Sequence, residues 1–124
     1  MLDRPSPDDF LTAVIATLRG VIEHLPARKQ FEVRVAINAL GLVQRELSLG
    51  KVSETRERAR LQALLEMDGD LEALNEALCV QLREKGADGM NAQVAAHLWE
   101  TTLEKIRIDQ PNYPTLRTLS DDKD

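Results

Sequence analysis

The sequence predicts an all-α protein, a single bundle of about five broadly antiparallel helices with the second helix at its centre. Three observations lead there. Apolar residues recur at steps of three and four in successive stretches, the spacing of a helix face rather than the alternation of a strand. Capping and breaking residues fall between those stretches. Aromatics are only 3% of the 124 residues against 43% apolar, so the core has to be built from Leu, Val, Ile and Ala, which suits helices better than a sheet.

The first helix starts at Ser6-Pro7-Asp8-Asp9. A serine can cap the unpaired N–H groups, proline suits the first turn, and the aspartates complement the helix dipole. Phe10, Leu11, Val14, Ile15, Leu18, Val21, Ile22 and Leu25 then form one wide apolar stripe, and Pro26 stops the helix. Residues 27–30 read as a short connection, which makes the first two helices antiparallel neighbours.

The second helix, Phe31 to Gly50, is apolar on two sides. Val33, Ala36, Ile37, Leu40, Val43 and Leu47 share one; Phe31, Val35, Leu42 and Leu49 fall roughly opposite. A helix of this kind is expected to be buried on both sides. Gly50 is the expected C-cap and Ser53 the N-cap of a third helix over about Glu54 to Met67. Asp68-Gly69-Asp70 reads as a turn that caps a fourth helix, whose Leu71, Leu74, Leu78 and Leu82 form a seam ending near Gly86. Residues 87–91 are a loop. The fifth helix, about Ala92 to Ile108, places Val94, Leu98, Thr102 and Ile106 on one side, with Trp99 and Leu103 adjoining. Residues 1–114 thus read as one helical domain, and 115–124 as a tail without regular structure.

Composition narrows the function classes. The single Cys79 forbids an internal disulfide and sits in an apolar stretch, where a buried core role is expected. No apolar run reaches the length of a membrane span, and the acidic, polar start lacks the pattern of a secretory signal. Cytoplasmic location and no membrane partner are expected. A net charge of −5 argues against nucleic acid, and Arg56, Arg58 and Arg60 are diluted by Glu54 and Glu57, which reads as a solvated helix surface.

The candidate chemistry is sparse. Arg34, Asn38 and Arg45 stand four and seven residues apart, so they share one face of the second helix. Two guanidiniums and an amide could hold a phosphate or carboxylate, or contact a partner. Equally, they could pair with carboxylates of neighbouring helices as a structural seam. Asn75, beside the fourth-helix seam, is expected to bond Asn38 or a backbone group. Asp109 sits unfavourably at a helix end and should have a cationic partner such as Lys105. Tyr113 is expected to fold back and lock the C-terminus, with ligand contact as the other reading. His97, Glu100 and Glu104 share a face, but they are too few for a metal site, and no glycine-rich phosphate loop occurs. Neither a catalytic residue, a metal nor a cofactor is assigned.

Taken in order, RPSPDDFLTAV (from Arg4), FEVRVAINALGLVQREL (from Phe31), RERARLQALL (from Arg56), DLEALNEAL (from Asp70) and HLWETTLEKIRIDQPNY (from His97) carry a resemblance. The set resembles a family of short, all-helical bacterial proteins of unassigned function. Its members tend to be encoded beside acyl-CoA dehydrogenase-like and aminoglycoside-phosphotransferase-like genes. The resemblance implies a link to acyl-CoA metabolism and brings no catalytic residues with it. The expected function is a non-catalytic accessory protein for such a neighbouring enzyme, contacting it through the second-helix seam or an unpaired apolar stripe. Homo-oligomerisation is a further expectation. The alternative is a binder of a small anionic ligand, such as a CoA ester, or an enzyme, working through Arg34, Asn38 and Arg45.

Overall fold

The structure, a computed structural model, describes residues 3–121 and is all-α. Six helices are described: α1 (Pro7–Val21), α2 (Ala27–Arg45), α3 (Lys51–Leu65), α4 (Leu71–Lys85), α5 (Ala92–Asp109) and α6 (Pro114–Asp121). The chain divides into two compact units, Met1–Leu49 and Gly50–Asp124.

The first unit is a helical hairpin. Ser6 caps α1 through a reciprocal box: the Asp9 N–H donates to Ser6 Oγ at 3.2 Å, and the Ser6 N–H donates to Asp9 Oδ2 at 2.7 Å. The Ser6 N–H and the Ser6 hydroxyl, which donates to the same Oδ2 at 2.8 Å, hold the Asp9 carboxyl below the usual carboxylate range. A single 3₁₀ turn, Ile22–His24, ends the helix, and Pro26 stands at the N-cap of α2. Residues 27–30, expected as a connection, are therefore the first turn of α2. The Gln30 amide donates to the Leu25 carbonyl at 2.9 Å and closes the bend from the side-chain end. At the open end, Gln44 Nε2 donates to Asp8 Oδ1 and Thr12 Oγ1, both at 2.8 Å, tying the end of α2 to the start of α1. Ile15 and Ile37 are buried between the two helices, flanked by half-buried Leu11, Leu18, Val33 and Leu40.

The second helix is not buried on both sides. Phe31 is 67% and Leu47 62% exposed, and Val35, Leu42, Val43 and Leu49 are exposed as well. The expected break at Gly50 is also absent. The chain stays helical through a wider π turn, Glu46–Gly50, and Gly50 keeps right-handed helical angles (φ −58°, ψ −49°). Ser53 consequently lies inside α3 and caps nothing. A π turn takes up one extra residue without interrupting the backbone bonding, a device that cap signals do not reveal.

The second unit holds the main core. Leu61, Leu74, Leu78 and Val94 form it, with Leu64, Leu65, Leu71 and Leu82 packed against them. α3 ends where Glu66 enters the left-handed region (φ 51°). Arg58 Nε secures the following turn by donating to the Gly69 carbonyl at 2.8 Å, and the Ala73 N–H donates to Asp70 Oδ1 at 2.8 Å to cap α4. Gly86, at φ 55°, ends α4 in a conformation that costs glycine little. Asn91 caps α5 by accepting from the Val94 N–H at 2.9 Å. Cys79 is exposed, one residue past the buried Leu78 and so rotated off the seam. The segment expected as an irregular tail forms α6, which buries Leu116; residues 122–124 lie outside the described residues.

Candidate functional site

The residues singled out on the second helix all lie in the first unit, along α2. Arg34 and Asn38 are exposed. Arg34 Nη2 donates to Gln30 Oε1 at 3.4 Å, one turn back on the same helix, rather than to a carboxylate on a neighbouring one. Arg45 is half-buried and folds back along α2: a Cβ at Gly41 would lie 3.2 Å from its Nη1. The missing side chain at Gly41 makes room for that guanidinium. Phe31, Val35, Asn38, Leu42 and Arg45 follow steps of four, three, four and three, the spacing of a coiled-coil seam, and Leu49 continues it into the π turn. The polar positions and the exposed apolar stripe are thus one line on the outside of the hairpin.

Asp109 and Tyr113 belong to the second unit. Asp109 is exposed at the last residue of α5, and among the described residues none forms an ion pair with it. Water screens it from the helix dipole, so the expected cationic partner is not needed. Tyr113 is half-exposed and lies in the turn before α6. Its N–H donates to the Gln110 carbonyl at 2.9 Å, and its own carbonyl accepts from Leu116 N–H at 3.0 Å. The side chain that packs inward at this end is Leu116, not Tyr113.

A buried polar cluster was hidden in the sequence. His97, Thr101 and Glu104 stand four and three apart on α5 in line with Val94 and Ile108, and all five are buried. Arg60 of α3 reaches Glu104 with both guanidinium ends, Nη2 to Oε2 at 2.8 Å and Nη1 to Oε1 at 3.5 Å, and Nη2 also donates to Thr101 Oγ1 at 3.1 Å. Arg56 lies 4.0 Å from the same carboxylate. Asn75 of α4 donates to Glu57 Oε1 of α3 at 3.2 Å and to the Leu71 carbonyl of its own helix at 3.1 Å, so of the two partners expected, Asn38 or a backbone group, it takes a backbone group, with a carboxylate supplying the bond across the helix pair. Arg60 is therefore half-buried against α5, while Arg56 and Arg58 of the same run stay on the surface. Its pull on Glu104 turns the polar line of α5 inward and leaves Leu98 and Trp99 exposed, about one residue's rotation from the face expected.

His97 is 4% exposed, and its Nδ1, like Arg60 Nε, is buried without a hydrogen-bond partner. Burial pushes its pKa below the ordinary value, and the Arg60 guanidinium pushes the same way. Glu57 and Glu104 oppose them, and Lys105 adds a little to the lowering. The imidazole is accordingly neutral at pH 7. Thr101 is engaged by Arg60, and Glu104 is neutralised by it, so the cluster offers neither a free nucleophile nor a poised acid–base pair. Its chemistry is that of an ion pair holding α3 against α5, with Arg60 Nε and His97 Nδ1 left unbonded. Among the described residues no group of three or more His, Cys, Asp and Glu could hold a metal ion. A separate shallow groove of about 500 Å³ runs along α4, lined by Leu65, Met67, Ala77 and Val80 and by the polar Glu76, Gln81, Glu84 and Lys85.

The profile of a domain of unknown function, DUF6285, matches residues 23–113. The chain belongs to this family. The DUF6285 segment runs from the 3₁₀ turn after α1 to the turn before α6. It contains the whole α2 line, the buried cluster, Asp109 and Tyr113. No curated protein and no solved structure matches the chain. Among the described residues of this DUF6285 protein, no helix is long and apolar enough to cross a membrane.

Proposed function

We propose that this protein is a non-catalytic accessory protein that acts by binding another protein through the outer line of α2. One observation carries the reading: Phe31, Val35 and Leu42 are exposed at coiled-coil spacing, with Asn38 and Arg45 inside the same line. Apolar side chains in such a row lose water only when another helix or surface covers them, and the polar positions within it select which one. The resemblance to bacterial proteins encoded beside acyl-CoA dehydrogenase-like genes names the partner class, a cytoplasmic acyl-CoA-related enzyme.

Co-expression with an acyl-CoA dehydrogenase-like protein of the kind encoded beside the proteins it resembles, followed by gel filtration, tests this. Co-elution is expected, and Val35→Glu is expected to abolish it while helical content by circular dichroism stays unchanged. Independent elution of the two proteins, with and without CoA esters, overturns the reading. Calorimetric binding of CoA by the protein alone, lost in Arg45→Met, would instead establish the anionic-ligand role of Arg34, Asn38 and Arg45.

A further inference from the structure

The hairpin has a second apolar face, distinct from the outer line of α2. In an antiparallel helix pair, residues one position before the contact positions of both helices turn out onto the same side, because both helices are right-handed and their chains run in opposite directions. The buried or half-buried lines are Leu11, Ile15, Leu18 and Ile22 on α1 and its 3₁₀ turn, and Gln30, Val33, Ile37, Leu40 and Gln44 on α2. One residue earlier stand Phe10, Val14 and Val21, and Ala36 and Val43, with Leu47 one turn further on; all six are exposed. Thr17, Ala39 and the ion-paired Lys29 and Glu32 complete the face, which is apolar along most of α1 and along the open half of α2.

We infer that a second copy of this chain covers that face, joining two hairpins into a four-helix bundle. Each helix of such a bundle carries two adjacent apolar seams, one toward its hairpin neighbour and one toward the facing pair. α1 and α2 both carry them. The charges favour a second copy and fix its direction. In the half of the hairpin near the 3₁₀ turn, Arg19, Arg28, Lys29 and Arg34 outnumber Glu23 and Glu32. In the open half, Asp3, Asp8, Asp9 and Glu46 outnumber Arg4 and Arg45. Residues 1–49 are therefore neutral in sum but polarised along the hairpin. A two-fold axis across the helices sets the basic half of each copy over the acidic half of the other and lays α1 antiparallel to α1. An axis along the helices would stack like charges.

The face is modest in size. Two helices about 10 Å wide and about 22 Å long present roughly 400 Å² per copy, about 800 Å² in total, below the roughly 1,000 Å² of a stable interface, so the dimer is weak and concentration-dependent.

Sedimentation velocity of the full chain from about 1 to about 300 µM, a range matched to small interfaces, tests the assignment. A shift from 13.9 kDa to twice that mass is expected with rising concentration, and it should weaken in high salt. Val14→Glu and Val43→Glu each put an ionised carboxylate into the apolar part of the shared face, where docking would strip its water, and should keep the chain monomeric throughout, with unchanged circular dichroism because both positions are exposed. Val35→Glu, on the outer line that carries the proposed enzyme contact, should leave the dimer intact, so the two surfaces fail separately. A monomer at every concentration overturns the inference. So does a dimer indifferent to Val14→Glu, one lost equally in Val35→Glu, or one tightened by salt.

Discussion

In Met1–Leu49 the buried apolar side chains are Ile15 and Ile37, while Phe10, Val14, Val21, Phe31, Val35, Leu42, Val43, Leu47 and Leu49 are exposed. In Gly50–Asp124, Leu61, Leu74, Leu78, Val94, Leu103, Ile108 and Leu116 are buried, and even Glu57, His97, Thr101 and Glu104 have been drawn inside. The first unit is neutral in sum, so the second carries the whole net charge of −5. The difference follows from helix number. Two helices can enclose only the line where they meet, whereas three or more enclose a volume. The hairpin leaves its remaining apolar area in water, whereas the second unit encloses its own in a core.

The comparison breaks or sharpens first on core truncation. Leu74→Ala, at a side chain with 0% exposure, should cost about 2–5 kcal/mol in urea unfolding, whereas Phe31→Ala should cost less than about 1 kcal/mol. Equal losses would mean that the hairpin is as much a core as the second unit. Next comes the ion pair. With Arg60 partly open to solvent, Glu104→Gln should cost about 2–3 kcal/mol, and Arg60→Met combined with Glu104→Met should recover part of that loss, because no charge is then left stranded. Additive losses would show that Arg60 and Glu104 act independently.

A third effect is confined to a pH window. The folded chain holds His97 below its ordinary value of 6.5, so the unfolded chain takes up the proton first. Stability contributed at this position is whole above that value and falls as pH drops below it, until the folded imidazole protonates too. The melting temperature should therefore decline from pH 7.5 to 5.5 in the wild type, and less in His97→Gln. A parallel decline in both would place the titrating group elsewhere. The smallest effect has the opposite sign: Glu66→Gly should stabilise by about 0.5–1 kcal/mol, because glycine occupies the left-handed region without the Cβ penalty.

Much of the helix layout was legible. Ser6 and Asp70 cap where their side chains and positions said they should, and the Leu71, Leu74, Leu78 and Leu82 seam lies in or against the core. The legible part is local: a cap bond spans three residues, and a seam is read from one helix. The buried cluster was less legible because its partners are 44 residues apart in sequence, as Arg60 and Glu104 are. A signal did exist, since His97, Thr101 and Glu104 keep the same helical step as Val94 and Ile108. That step looked like a polar face until its partner was known.

By itself the sequence determined that the chain is helical, where α1, α4 and α5 begin, and that α2 has two apolar sides with a polar seam of Arg34, Asn38 and Arg45 between them. These depend on backbone propensity, capping and a 3.6-residue period, which act within a few turns. Only the tertiary structure decided which of those sides is covered, that Gly50 continues a helix rather than ending one, and that Arg60 and Glu104 meet inside. Burial is a property of what stands opposite a side chain, and that depends on residues the local pattern does not contain.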